Sequence, residues 1–267
     1  MKIGFVGTGN MGTALIKGYL AAHPEESGNI SAFDKDREKL DALSGELGIH
    51  GCDSITALMK ESEVVVLAVK PNIFDAVLPE IGEHYRTGQI LVSIAAGISM
   101  KYIEKLVRKD GVKVVRVMPN TPAMVNAGMS ALCKNQYLTD EEFEPVVELF
   151  RSVGKAEIVE ESMIDTVIGV SGSSPAYTYM YIEALMDAAE SYGMDREQAK
   201  IFAGQSVLGA AKMVLETGVD PATLRENVCS PGGTTIEAVK TLQNNGFHDN
   251  IAEAFRAAVE KSKVMTK

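Results

Sequence analysis

The sequence predicts an α/β fold: a doubly wound parallel sheet in the N-terminal half, then a region built of helices alone. Three observations carry this. Strand-like runs alternate with helical patterns from Lys2 to Met118. One run, Val64-Val65-Val66-Leu67-Ala68-Val69, is apolar throughout, as a strand covered on both faces is. From about Ser162 onward only helical periodicity remains. The expected division is residues 1–160 for the sheet domain and 161–267 for the helical domain.

The strand-like runs are Lys2–Gly7, Ile30–Phe33, Glu63–Val69, Gln89–Ile94 and Val112–Met118. Helical patterns lie between them at Met11–Ala22, Arg37–Ser44, Ile55–Lys60, Ile73–His84 and Lys101–Arg108. Met129–Lys134 reads as one further strand, Thr139–Ser152 as an acidic-started helix and Ala156–Val159 as an edge strand. The second half offers helices at Met163–Gly193, Arg196–Thr217, Pro221–Val228, Thr234–Asn244 and Asn250–Met265. Asp220-Pro221 is an N-cap followed by proline at the first helical position, and Gly193 and Gly218 are helix stops. In a sheet of this kind a ligand sits beyond the carboxyl ends of the strands.

The chain has 267 residues and 46% apolar composition, enough for about two domains with a sizeable core. No apolar run approaches the ~20 residues of a membrane span, and no signal peptide precedes the strand at Lys2, so a cytoplasmic protein is expected. A net charge of −10 argues against nucleic-acid binding. Cys52, Cys133 and Cys229 lie far apart and read as reduced core thiols; neither they nor the four histidines make a metal-ligand spacing, so no metal is expected. The helical half is rich in small residues (Ala203, Gly204, Ser206, Gly209, Ala210, Ala211), which fits a tight bundle or an interlocked dimer. About 100 residues of helix alone make a thin core, which favours the dimer.

The first strand runs into Gly7-Thr8-Gly9-Asn10-Met11-Gly12, and a helix follows. In that context Gly7 permits the tight turn, Gly9 leaves room for a pyrophosphate, and Gly12 lets helix and strand approach. The free amides of the helix start attract phosphate. The motif reads as a nucleotide-binding turn, with a glycine-rich turn that binds nothing as the alternative. Asp34 closes the second strand 22 residues after Gly12, where an acid accepts hydrogen bonds from the adenosine ribose; capping of the next helix by Asp34 or Asp36 is the competing role. Lys35 and Arg37 beside it suit a 2′-phosphate, so NAD and NADP both stay open.

Ala68-Val69-Lys70-Pro71 and Ser93-Ile94-Ala95-Ala96-Gly97 end the third and fourth strands. Lys70 is a ligand-facing cation or a solvated one, and the small residues Ala95, Ala96 and Gly97 leave space for a nicotinamide or for a packed helix. Met118-Pro119-Asn120-Thr121-Pro122-Ala123 is a stiff polar turn, a substrate contact or an interdomain linker. In the helical half, Gly169–Tyr177 crowds Gly, Ser and Pro175 into an apolar helix, which Pro175 should kink or restart. Ser230-Pro231-Gly232-Gly233-Thr234-Thr235 opens another helix and reads as a small-anion cradle or a plain cap.

Taken together and in this order, these motifs resemble those of the Δ1-pyrroline-5-carboxylate reductases, from Lys2 to about Ser262. The resemblance implies an enzyme that reduces the C=N bond of 1-pyrroline-5-carboxylate to L-proline with NADPH or NADH, the last step of proline biosynthesis. It implies an N-terminal Rossmann domain, an all-helical C-terminal dimerisation domain interlocked with a second subunit, and larger assemblies up to a decamer. It places Gly7, Thr8, Gly9, Asn10, Met11 and Gly12 on the pyrophosphate. Ala68, Val69, Lys70, Pro71, Ala95, Ala96 and Gly97 would line the cofactor. Gly232, Gly233, Thr234 and Thr235 would hold the substrate carboxylate, with Thr235, Ser174 and Asn120 around the reacting ring. Asp34 stands where many members carry a smaller or uncharged residue, which puts strict NADP preference in question. A β-hydroxyacid dehydrogenase is disfavoured because Gly169–Tyr177 holds no lysine to serve as acid/base. A cofactor-sensing module would leave the second cradle unexplained.

Overall fold

A computed structural model describes residues 1–267. The chain begins β1 (Ile3–Val6), α1 (Asn10–Ala22), β2 (Ile30–Phe33), α2 (Arg37–Leu47), β3 (His50–Gly51), α3 (Ile55–Glu61) and β4 (Val64–Leu67). It continues with α4 (Phe74–His84), β5 (Ile90–Ser93), α5 (Met100–Val107), β6 (Lys113–Met118), β7 (Gly128–Lys134), α6 (Asp140–Arg151) and β8 (Gly154–Ile158). The rest is helical: α7 (Ile164–Val167), a π-helical turn (Ile168–Gly172), α8 (Ser174–Ser191), α9 (Arg196–Thr217), α10 (Pro221–Asn227), α11 (Thr234–Asn244) and α12 (Phe247–Met265).

One sheet holds all the strands, in the order β3-β2-β1-β4-β5-β6-β7-β8. Strands β1 to β6 pair in parallel. The expectation of a parallel sheet needs one refinement: β7 runs antiparallel to β6, and β8 is parallel to β7. Residues 119–127 between β6 and β7 are too few for a crossover, so the chain turns back on itself; α6 then supplies a crossover to β8. Strand β3 escaped the sequence reading because two residues carry no alternation to detect.

The core lies in two layers, one on each face of the sheet. Alternate residues of β4 divide between them: Val64 and Val66 join Leu15, Ile16, Leu40, Phe143 and Phe150, while Val65 and Leu67 join Leu58, Met59, Phe74, Leu78 and Ile103. Burial on both sides explains the unbroken apolar run. Helix starts are fixed by side chains that accept from free amides: Asp36 from Lys39 N, Ser54 from Ala57 N, Ser99 from Tyr102 N, and Thr139 with Glu142 as a reciprocal capping box. Cys52 and Cys133 are buried free thiols as expected, whereas Cys229 is only half-buried.

Two compact units divide the chain. The first comprises Met1–Gly172 with Ala258–Lys267, the second Ser173–Ala257. In the second, α8 and α9 pack on each other, with Ala199 and Ala203 the buried apolar residues of that pair. Asp195 caps α9 and Gly218, in the left-handed region, ends it. The helical stretch from Met163 to Gly193 restarts at Pro175 as expected, and a π turn ending at Gly172 precedes the restart, with Pro175 in the first turn of the new helix. Proline fits there because the first amides of a helix have no partner in any case.

Candidate functional site

The three glycines of the first motif meet three different demands. Gly7 has φ 101°, and a Cβ on it would lie 2.8 Å from the Ala68 carbonyl oxygen. A Cβ on Gly12 would lie 2.5 Å from the Gly7 carbonyl oxygen, so helix and strand approach as close as glycine allows. Gly9 has no protein atom within 4 Å of that position, which leaves open space over the turn. Gly9 is also the N-cap of α1, and no side chain caps it. The start of α1 therefore keeps unpartnered amides aimed past a glycine with nothing above it, a fit for the pyrophosphate of a dinucleotide.

Asp34 does more than either sequence reading supposed. Its Oδ2 accepts from Thr8 N (2.6 Å) and Thr8 Oγ1 (2.9 Å), and its Oδ1 from Asp36 N (3.0 Å). Capping of α2 falls to Asp36. Thr8 is fully buried, so Asp34 fixes the glycine turn to the end of β2. Burial pushes the Asp34 carboxyl up, but the hydrogen bonds from Thr8 and Asp36, with the charge of Lys39, outweigh it and hold the group below its ordinary value. Of the cations beside it, Arg37 is committed to Asp41 (2.9 Å) and Asp53 (2.6 Å). Lys35 is exposed and makes no ion pair, and Lys39, which the sequence reading passed over, is likewise unpaired. Lys39 and Asn10 share the wall of a cavity of about 480 Å³ with Thr13, Lys17 and Asn126. The available signal for Lys39 was its spacing of four from Lys35 across a helix start.

The other expected cofactor residues follow neighbouring carboxyl ends. Ala68 comes straight after β4, its amide bonded to Val6 O (2.9 Å), and Lys70 and Pro71 lead into a 3-10 turn. Lys70 is exposed and unpaired. Ala95, Ala96 and Gly97 follow β5, where the buried Ser93 Oγ accepts from Ala95 N. Asn120 follows β6 and is buried. Its Nδ2 donates to Ser171 O (3.0 Å) and its Oδ1 accepts from Met129 N (2.8 Å), so it ties the β6–β7 turn to the π turn. Gly7–Gly12, Asp34, Ala68–Pro71, Ala95–Gly97 and Asn120 thus all follow carboxyl ends of strands β1, β2, β4, β5 and β6.

The second unit carries Ser174 and Gly232–Thr235. Ser174 is the first residue of α8, and its carbonyl accepts from Thr178 Oγ1. Gly232 has φ 73°, and Gly233 N closes a turn on Ser230 O (3.0 Å). Gly233 caps α11 without a side chain, and the exposed hydroxyls of Thr234 and Thr235 make no hydrogen bond. Uncapped amides and two hydroxyls without hydrogen bonds thus meet at one helix start.

A mostly parallel sheet with a glycine turn at its β1–β4 switch point, joined to a helical region, defines a nicotinamide-dependent oxidoreductase with a Rossmann domain. Residues 2–97 match the family model described as NADP oxidoreductase, coenzyme F420-dependent, and residues 161–265 match pyrroline-5-carboxylate reductase dimerisation. The chain is 45% identical over 266 residues to the pyrroline-5-carboxylate reductase of Escherichia coli K12, covering 100% of this chain and 98% of that one. The pyrroline-5-carboxylate reductase structure from Coxiella burnetii superposes with TM-score 0.94 at 35% identity, covering 100% of this chain and 98% of the other. The Plasmodium falciparum pyrroline carboxylate reductase, crystallised with NADP bound, does so with TM-score 0.89 at 31% identity over 100% of this chain and 98% of its own. The chain belongs to the pyrroline-5-carboxylate reductase family.

Proposed function

We propose that the chain reduces the C=N bond of 1-pyrroline-5-carboxylate to give L-proline, with NADPH or NADH as donor, as the last step of proline biosynthesis. The observation that carries this reading is the pair of uncapped helix starts, α1 behind Gly9 and α11 behind Gly233. One suits a dinucleotide pyrophosphate, the other a lone carboxylate. The nicotinamide supplies the hydride; the chain supplies placement. Gly7, Thr8, Gly9, Asn10, Met11 and Gly12 hold the phosphates, Asp34 and Lys35 flank the ribose, and Ala68–Pro71 with Ala95–Gly97 line the remainder. Gly232, Gly233, Thr234 and Thr235 hold the substrate carboxylate.

Thr235 Oγ1, with no partner of its own, is placed to hydrogen-bond the ring nitrogen, and Ser174 borders the ring. Asn120, both ends of whose amide are engaged, shapes the ring's surroundings by holding the π turn. A cyclic imine is already electrophilic, so orientation is the main demand, worth ~7–11 kcal/mol when reacting atoms are well placed. The test is loss of NAD(P)H absorbance with and without the imine. Oxidation independent of the imine, or none with either cofactor, would refute the reading.

The chain self-associates through its dimerisation region. The assembly we propose is an interlocked dimer, with the decamer as its larger form. The exposed apolar side chains of α8 and α9 support it, among them Met180, Ile201, Phe202 and Leu208. The working compartment proposed is the cytoplasm; no helix is long and apolar enough to cross a membrane. The two domains proposed remain 1–160 and 161–267, the helical one extending to the start of its family match at residue 161.

A further inference from the structure

We propose that His50, Cys52 and Glu61 form a binding site for a divalent cation of the zinc class, separate from the reductase machinery. Their donor atoms all lie within 4.8 Å of one another. Cys52 Sγ is 3.9 Å from His50 Nδ1 and 3.9 Å from Glu61 Oε2, and His50 Nδ1 is 2.7 Å from Glu61 Oε2. A tetrahedral zinc ion with bonds of 2.0–2.3 Å separates its ligands by about 3.3–3.8 Å. The two sulfur distances sit just outside that range, and the His50–Glu61 pair needs to open by about half an ångström from its hydrogen-bonded position.

The local fold explains the convergence. His50 and Cys52 are two residues apart along the extended chain at β3, so their side chains share a face. Helix α3 then carries the chain back and ends at Glu61. Sequence spacing did not reveal the set because the third donor arrives nine residues later, across a helix. One nitrogen, one sulfur and one carboxylate oxygen suit a borderline ion and not calcium or magnesium, which take oxygen ligands. Three protein donors leave a fourth position for water. Ser31 Oγ, on the neighbouring strand β2, donates to Glu61 Oε2 (3.2 Å) and steadies that ligand.

An exposed His–Glu pair alone would be an ordinary surface contact. The difference here is the third member, a thiol 2% exposed, which faces the pair from beneath. Burial first, then the charge of Glu61, pushes Cys52 up to about 11. Asp53, the other nearby acid, is held by Arg37. On binding, the sulfur–metal bond forms as the thiol proton leaves to solvent. With the imidazole bound through its Nδ1 lone pair, the thiol proton is the one released, and nothing is oxidised or reduced. Such an ion clips the edge strand β3 to the end of α3. It lies away from the glycine turn: Glu61 precedes the amino end of β4, whereas the turn follows the carboxyl end of β1.

Titration of the full chain with cobalt(II) alone tests this. The expected result is one ion per chain with a thiolate-to-cobalt charge-transfer band in the near ultraviolet, displaced by zinc. Cys52→Ser should abolish the band and Cys229→Ser should keep it. Glu61→Gln and His50→Gln, both at exposed positions, should weaken binding roughly tenfold or more while leaving imine reduction unchanged. Zinc should raise the Tm of the unsubstituted chain and not of these two variants. Absence of the band in the unsubstituted chain, its survival in Cys52→Ser, or unaltered affinity in both Glu61→Gln and His50→Gln would overturn the proposal. Because Glu61→Gln and His50→Gln replace exposed side chains with polar ones of similar size, the test stands even if Cys52→Ser folds poorly.

Discussion

Asp34 joins two tasks in one carboxylate. It faces the place where an adenosine ribose is expected, and it accepts from both the amide and the hydroxyl of the buried Thr8. A buried amide that loses its acceptor costs ~1–3 kcal/mol. Asp34→Ser should therefore weaken binding of NADH and NADPH alike, by roughly fivefold or more. Removing the negative charge beside Lys35 and Lys39 should also move the kcat/KM ratio towards NADPH. Fluorescence titration and steady-state rates with each cofactor separate the two effects. An unchanged ratio would remove the ribose role, and unchanged affinities would remove the turn-holding role. Because the carboxyl is held below its ordinary ~3.9, its contribution is complete above that value and is lost only as pH falls through the lower folded value. Cofactor affinity between pH ~5 and ~8 should then show no step from this group.

Thr235 differs from Asp34 in having an unengaged hydroxyl. Thr235→Val keeps the shape and removes the donor. It should raise the KM for the imine by roughly tenfold, in line with ~1–2 kcal/mol for one hydrogen bond to a charged or polar ligand, while cofactor Kd stays fixed. Equal loss of both would contradict the role assigned to Thr235.

Among elements, the β1–α1 turn makes the sharpest pair of expectations. Gly9→Ala meets no protein atom, so Tm should hold while cofactor binding falls. Gly12→Ala forces a Cβ against the Gly7 carbonyl at 2.5 Å, and overpacking of ~1–3 kcal/mol outweighs the ~1 kcal/mol of helix propensity gained. Its Tm should drop by a few degrees in a thermal melt even without cofactor. A Gly9→Ala variant that melts early would contradict the open space above that residue.

The same scale shows what the sequence could disclose. The buried strands were legible because burial on both faces forces continuous apolar runs, as in Val64–Leu67. Helix starts at Arg37 and Pro221 were legible through the pair Asp34 and Asp36, of which Asp36 is the cap, and through Asp220. The direction of β7 was not, because strand polarity depends on the room left by residues 119–127 and not on the composition of Gly128–Lys134. Pro175 announced a break but not the π turn before it, which is held from outside by the Asn120 amide. Likewise the engagement of Asn120 with Ser171 spans 51 residues, beyond any local pattern.

For the molecule as a whole, the uneven distribution of core sets the last expectation. The first unit buries two full layers around its sheet. In the second, α8 buries no residue, and Ile201, Phe202, Leu208 and Leu215 of α9 are all more than half exposed. Each such side chain forgoes more than half of the roughly 1.5–3 kcal/mol that full burial contributes, so a second subunit has much to cover. A glutamate in place of Phe202 together with one in place of Leu208 would put two charges into any such interface. Sedimentation should then show a smaller species than the unsubstituted chain. The cofactor cradle lies wholly within the first unit and should still bind NADPH with near-normal Kd. Imine reduction should fall with the loss of association, because the proposed substrate cradle at Gly232–Thr235 belongs to the second unit, whose exposed apolar side chains a partner would cover. Full activity in a demonstrably monomeric double variant would mean that one chain completes the reaction alone, and the interlocked dimer would lose its catalytic purpose.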